Sequence, residues 1–501
     1  MKNILIITTL LWLLNYKFFL SLFTTVSSSY AVLYEIIVYF IILLFLLTLF
    51  SWNKIANAIF INILLVISVI GLYFINTMGI VIDGNMLNNV LSTDSSEALE
   101  LLDINFYIYT LVCFVLLYLL NLKVILKQNR LPLKKYLTYI FAILILFFGF
   151  YKIDRVVFDD FMTDDTPYVA PLFMIPAITD YMIMQKRSVD INKQNISSEY
   201  QLNSDSNDTI VVFVLGESAR GDRFGINGYY KDTTPNFTNN ENLVSFKNAS
   251  SCDTSTLNSI PCLLTRDTHD EYDNIIRENS FVEIYKDLGY ETYWFSRNSD
   301  QKRIKNFCQE AAVCKYEHDL DYDEDLLPQL SEILKNQNNK LIVLHTLGSH
   351  IDYNERVPQK YQIFKPLCDV GVSSCEKEKL DNSYDNTIYY TDIFLTKIMD
   401  ILKDKKACII YTSDHGESLG EKSLGIVKRF GHSTPYNVAP KEQTTVPFIL
   451  WFSDKYLRSK SLDLKKMRKL EDISHDNIFD TVLGCGYISK IKGKTLNICD
   501  K

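Results

Sequence analysis

A helical membrane domain followed by an exported α/β domain is the architecture this chain predicts, and three observations carry it. Apolar runs dominate the sequence before about residue 155. After about residue 190, polar and apolar residues alternate as in a folded, water-facing domain. Within that second part, short apolar strands alternate with helix-like stretches. The 501 residues suffice for about two or three domains.

The apolar part divides into five spans, at 4–26, 31–50, 55–75, 106–122 and 136–151. Each is near the roughly 20 residues a helix needs to cross a bilayer core. Asn15, Lys17 and Glu35 interrupt the first two spans, and such groups must face other helices or reach the interface. The first span lacks a small-residue cleavage site and is followed at once by more spans, so it reads as an anchor rather than a signal peptide. Lys2, Lys54 and the group Lys123, Lys127, Arg130, Lys134 and Lys135 fall on one side of a five-span bundle. The positive-inside rule makes that side cytoplasmic. The acidic loop of residues 78–104 and everything after residue 151 then lie outside.

Cysteine usage agrees with that topology. Of ten cysteines, Cys113 sits in a span and Cys408 in an apolar strand. The rest form close pairs: Cys252 with Cys262, Cys308 with Cys314, Cys368 with Cys375, and Cys485 near Cys499. Short-range pairs in an exported domain read as disulfides of an oxidising compartment such as the bacterial periplasm. The alternative of metal-binding thiols is weakened because no CxxC spacing occurs. The net charge of −8, with no basic aromatic-laced stretch, gives no reason to expect a nucleic-acid partner.

Residues 152–208 carry Pro167, Pro171 and Pro176 and end in a polar run at 188–208, which marks a bridge. The expected division is therefore a five-helix membrane domain at 1–154, a linker at 155–208 and an α/β domain at 209–501. Strands are expected at 210–215, 292–295, 341–344, 407–411 and 446–451, in a mostly parallel sheet covered by helices on both faces.

Open sheets of this kind place their chemistry beyond the carboxyl ends of the strands. The strand at 210–215 runs into Gly216-Glu217-Ser218-Ala219-Arg220, and that at 407–411 into Ser413-Asp414-His415-Gly416-Glu417. Between them lies Ser251-Cys252-Asp253-Thr254-Ser255-Thr256. Zinc takes carboxylate oxygen and imidazole nitrogen in tetrahedral geometry, and a catalytic site keeps one position for a reacting group. A hydroxyl there loses its proton more easily, which threonine, a poor nucleophile, requires. Singly, each residue has a plainer reading: Asp-His after a strand as a turn, Glu217 as a helix N-terminal charge.

Together the motifs resemble the lipid A phosphoethanolamine transferases, the group that includes the colistin-resistance enzymes, within the alkaline phosphatase and sulfatase superfamily. The resemblance covers essentially the whole chain. It rests on Gly216-Glu217-Ser218-Ala219-Arg220, Asn227-Gly228-Tyr229, Ser251-Cys252 through Pro261-Cys262, and His345-Thr346-Leu347-Gly348-Ser349-His350. Tyr384-Asp385-Asn386-Thr387, Ser413-Asp414-His415-Gly416-Glu417-Ser418-Leu419-Gly420-Glu421 and Ala439-Pro440-Lys441-Glu442-Gln443 complete it. It implies an α-helical membrane domain of five transmembrane helices followed by an α/β sulfatase-like (alkaline phosphatase-like) periplasmic domain.

The resemblance implies zinc ligands at Glu217, Thr256, Asp414 and His415, with Thr256 as nucleophile. His350 and His432 resemble two further histidines that contact the phosphoryl group or a second zinc; either suits protonation of a leaving oxygen. Lys302 resembles a substrate-binding lysine. Asn89, Thr93 and Glu97, spaced by four on one helix face, resemble residues assigned to the lipid headgroup. Three departures stand out: Asp253 where the family has glycine, a longer segment between Glu421 and His432 with Ser433 in place of a glycine, and the Cys485–Cys499 pair, which is not a family feature.

The implied reaction moves phosphoethanolamine from phosphatidylethanolamine to a lipid A phosphate through a threonine intermediate. That lowers envelope negative charge and confers resistance to polymyxin and cationic peptides. The expected protein is a multi-pass, monomeric enzyme of the bacterial inner membrane. Transfer to a core sugar or a protein, or phosphoglycerol transfer of the lipoteichoic acid synthase type, are the competing readings.

Overall fold

The structure, a computed structural model, describes residues 1–26, 28–92, 102–127, 129–189, 193–298, 300–423 and 427–500. The chain forms two compact units. The first holds Met1–Leu91 and the described parts of 101–183 and 420–430; the second holds the described residues of 184–419 and 431–500.

The first unit is helical: α1 (Lys2–Leu14), α2 (Tyr16–Thr25), α3 (Ser29–Thr48), α4 (Lys54–Met78), α5 (Gly84–Ser92), α6 (Ile104–Leu120) and α7 (Leu133–Ile153). Among the described residues, four helices are long and apolar enough to cross a bilayer, and α1 with α2, bent by 51°, makes a broken fifth. The five expected spans are therefore present, but the first is not one straight helix. Asn15 causes the break. It is 1% exposed; its Nδ2 donates to Tyr39 Oη (2.7 Å) and its Oδ1 accepts from the Ala170 amide (2.9 Å). A side chain engaged across the helix in this way kinks the ladder. Lys17 donates to the Asn76 carbonyl at 3.1 Å, and Glu35 is buried, so all three interrupting residues face the protein. By contrast α6 and α7 expose Leu111 and Phe141, each by 67%, as side chains meant for lipid.

The second unit is built on a seven-stranded sheet. Its order is β3 (Leu243–Ser250), β10 (Thr445–Phe452), β7 (Lys406–Ser413), β2 (Thr209–Gly216), β6 (Lys340–His345), β4 (Glu291–Ser296) and β5 (Val313–Tyr316). β1 (Tyr200–Leu202) pairs with β11 (Ile488–Lys490), and β8 (Ser418–Ser423) with β9 (Val427–Gly431). Every residue of β2 is buried, which explains its unbroken apolar run: helices cover both faces. Val211, Phe213 and Leu215 join one core cluster with Phe281 and Trp294.

Four of the six pairings are parallel. The strand expected at 446–451 is the exception: β10 runs antiparallel to both β7 and β3, with its register slipping between Val446 and Phe448. Pro447 lies at that slip, where a missing N–H does least harm to a ladder.

Candidate active site

Because β2, β7, β6 and β4 are parallel and in register, Gly216 lies opposite Ser413 and Leu215 opposite His345, which also faces Ser296. Their carboxyl ends therefore release the chain at one sheet edge. Glu217 leaves β2 there, Asp414 and His415 leave β7, Asn298 follows β4, and His350 lies beyond β6.

The three expected acidic and imidazole ligands converge. His415 Nε2 lies 3.3 Å from Glu217 Oε1 and 3.2 Å from Asp414 Oδ2. Thr256 Oγ1 is 3.1 Å from His415 Nε2 and 3.3 Å from Glu217 Oε2. Thr256 opens the helix α8 (Thr256–Leu264), and the disulfide Cys252–Cys262 closes the loop that carries it. The pairs Cys308–Cys314 and Cys368–Cys375 are bonded as expected; Cys485 and Cys499 lie buried with their Sγ atoms 3.1 Å apart.

Tight backbone surrounds Glu217. Ser218 takes φ +56°, an unusual value for a residue with a side chain. Gly348 has φ +50°, and a Cβ there would sit 2.8 Å from the Glu217 carbonyl oxygen, so both conformation and space demand glycine. Asp253, standing where the resembled family has glycine, has no positive φ; its Oδ1 accepts from the amides of Thr254 (2.7 Å) and Ser255 (3.2 Å) in an Asx-type turn. Ser433 does adopt a glycine-like φ of +66°.

The donor set fits a zinc ion. His415 Nδ1–H donates to the Gly416 carbonyl at 2.9 Å, which leaves the Nε2 lone pair facing the cluster. Burial draws His415 down to about 4, with His432 adding to the effect, so the imidazole is neutral as a ligand must be. Burial also raises Glu217 and Asp414, and their mutual repulsion raises Glu217 further. Asp414 Oδ2 is buried without a well-formed hydrogen bond among the described residues. Two buried carboxylates at such range are costly unless a cation meets them.

Beside this trio lies a second one, His415, Glu417 and His432. Glu417 Oε2 accepts from His432 Nδ1 at 2.9 Å, and the His415 and His432 rings are 4.2 Å apart. Burial works against a charged His432, but the Glu417 carboxylate outweighs it and raises the imidazole above its usual value. His350 is 8% exposed, with its ring 6.3 Å from that of His432.

Other expected residues are not drawn in. Lys302 is exposed at the start of α9 (Lys302–Cys308), and among the described residues no hydrogen bond joins it to the cluster. Asn89 is half-buried on α5, while Thr93 and Glu97 lie outside the described residues.

Three residues with clear positions escaped the sequence reading. Glu417 belongs to a quoted motif but had no role. Asn298 Nδ2 donates to Glu217 Oε2 at 3.0 Å. His475 is buried and pushed down to about 3 by that burial; its Nδ1 accepts from the Cys252 amide (3.0 Å) and its Nε2–H donates to the Ser413 carbonyl (2.9 Å). One neutral ring thus ties the Thr256 loop to the strand that bears Asp414 and His415. His475→Ala leaves both backbone groups buried and unmatched, so about 2–4 kcal/mol of stability is lost. Chemical denaturation checks this; a loss under about 0.5 kcal/mol would remove the tie.

The sulfatase family matches residues 209–487, and the family described as phosphoethanolamine transferase EptA/EptB matches residues 39–163. The phosphoethanolamine transferase EptA of Helicobacter pylori is 31% identical over 436 residues, covering 83% of this chain and 79% of that protein. The Kdo(2)-lipid A phosphoethanolamine 7''-transferase of Salmonella typhimurium is 36% identical over 318 residues, but the match spans only 60% of this chain and 55% of that relative's length. The solved structure of the integral membrane lipooligosaccharide phosphoethanolamine transferase A from Neisseria meningitidis superposes with a TM-score of 0.87 at 26% identity, covering 99% of this chain and 98% of that one. The chain belongs to the sulfatase family and, within it, to the phosphoethanolamine transferases of the EptA type.

Proposed function

We propose that this protein transfers phosphoethanolamine from phosphatidylethanolamine to a phosphate of lipid A, with Thr256 as the nucleophile. The observation that carries the reading is the Thr256 hydroxyl within 3.1–3.3 Å of His415 and Glu217, at the edge where Asp414 also emerges. Glu217, Asp414 and His415 would hold a zinc ion, with Thr256 Oγ as the fourth ligand. Bound there, the ion supplies charge that eases deprotonation of the hydroxyl and neutralises phosphoryl oxygens.

The chain's own residues perform the rest. Thr256 Oγ gives up its proton to water and attacks phosphorus, the bond to the diacylglycerol oxygen breaks, and phosphoethanolamine remains on threonine. The departing oxygen takes a proton from His432, whose Nδ1 is held by Glu417 and whose affinity for a proton that carboxylate raises. In the second step a lipid A phosphate oxygen attacks the same phosphorus and Thr256 Oγ leaves, and Thr256 and His432 each take back a proton from water. The position of the site at the fixed ends of buried strands supplies orientation, on which phosphoryl transfer chiefly depends.

Expression in a Gram-negative host, followed by mass spectrometry of lipid A, tests the acceptor. A species heavier by one phosphoethanolamine is expected. Unmodified lipid A alongside modified core sugar or protein would assign a different acceptor.

A further inference from the structure

α4 ends at Gly79, with φ +69°, and a Cβ there would meet the Lys428 carbonyl oxygen at 2.8 Å. The backbone of β9 therefore lies directly on the end of this span. Next in the strand is Arg429, 3% exposed, in hydrogen-bond contact with the Tyr168 hydroxyl. Arg429, Tyr168, Lys17, Asn15, Asn76 and Gly79 line one cavity of the helical unit, and none of them belongs to the site described above. Its space for atom centres is about 20 Å³, somewhat more than the ~10–15 Å³ one water needs. A compact polar group fits there and an acyl chain does not.

We propose that this cavity binds the phosphate of a membrane glycerophospholipid. Arg429 and Lys17 are the charged side chains lining it among the described residues, so the cavity selects an anion. Guanidinium matches phosphate oxygens two at a time, and Lys17 adds a point charge. Asn76 and Tyr168 also line the same space.

The level in the membrane agrees. Lys54 opens α4 on the cytoplasmic side, so Asn76 and Gly79, at the other end, lie at the outer interface. Lipid phosphates occupy that level.

The test uses the full chain in detergent, offered phosphatidylglycerol or a diacylglycerol with the same acyl chains; native mass spectrometry counts retained lipid. Thr256→Ala is measured alongside, so that turnover plays no part and failure of the catalytic reading leaves the result intact. One phosphatidylglycerol and no diacylglycerol should be retained. Arg429→Gln and Lys17→Gln should each lower retention about tenfold or more, with Arg429→Lys between. If Arg429→Gln does not fold, Lys17→Gln, at a half-buried position, decides the matter. Retention unchanged in folded variants, or equal retention of diacylglycerol, overturns the site. Displacement by millimolar inorganic phosphate overturns the lipid assignment in favour of free phosphate.

Discussion

Thr256→Ala should lower the rate of phosphoethanolamine transfer about a thousandfold or more, without unfolding the protein. The size follows from what is removed. A covalent route divides one hard displacement into two easier ones, and no neighbouring group can replace the attacking oxygen. Ser255 is the nearest alternative in sequence, but its hydroxyl bonds back to Asp253 Oδ1. Thr254 Oγ1 donates to the Thr434 carbonyl. Thr256 itself opens a helix and is only partly buried, so losing its hydroxyl and methyl costs little stability. The checks are lipid A mass spectrometry and diacylglycerol release from phosphatidylethanolamine. Thr256→Ser retains the hydroxyl and should keep measurable activity. Full transfer by the alanine variant would mean that another group attacks phosphorus.

The residues at issue were readable from sequence because they follow strands of a legible kind. β2, β6, β7 and β4 lie inside the sheet and are mostly buried, so each is a short apolar run whose exit residue can be counted. β3 was not recognised for the opposite reason. It is an edge strand with Lys247 and Asn248 exposed, and its burial pattern breaks the alternation. The hairpin β8–β9, rich in charge, carries no strand signal; yet it delivers Arg429 to the cavity of the helical unit. The bend at Asn15 was also invisible, since apolar content marks that a segment can span a bilayer and not whether it stays straight. Lys302 matched by motif alone, and no contact supports it among the described residues. Glu417 shows the converse: its place in the motif was plain, but its partner His432 comes from beyond the hairpin, so only the folded chain pairs them.

Removing the metal should destabilise the second unit, and the effect should shrink as pH falls. A ligand present at about a hundred times its dissociation constant adds about 2.7 kcal/mol to stability. For a unit of this size that is a shift in thermal midpoint of roughly 4 °C. The pH dependence follows from the carboxylates. Burial raises Glu217 and Asp414 in the metal-free fold above their unfolded values, so the folded chain holds protons that the unfolded chain releases. Such groups penalise the metal-free fold at neutral pH, and the penalty disappears as pH falls through the raised values toward the ordinary carboxylate range. Metal binding changes in the other direction, because protons compete for the same oxygens. The stripped chain therefore gains stability while the loaded chain loses its advantage, and the two thermal midpoints converge as pH falls from neutrality toward the ordinary carboxylate range. Asp414→Asn should eliminate stoichiometric zinc and remove most of this pH-dependent gap, since one of the two buried charges is gone. Elemental analysis and thermal scans with and without chelator read both effects. A gap that is constant across this range, or an Asp414→Asn chain that still carries one zinc, would show that the carboxylate pair is not where the metal is held.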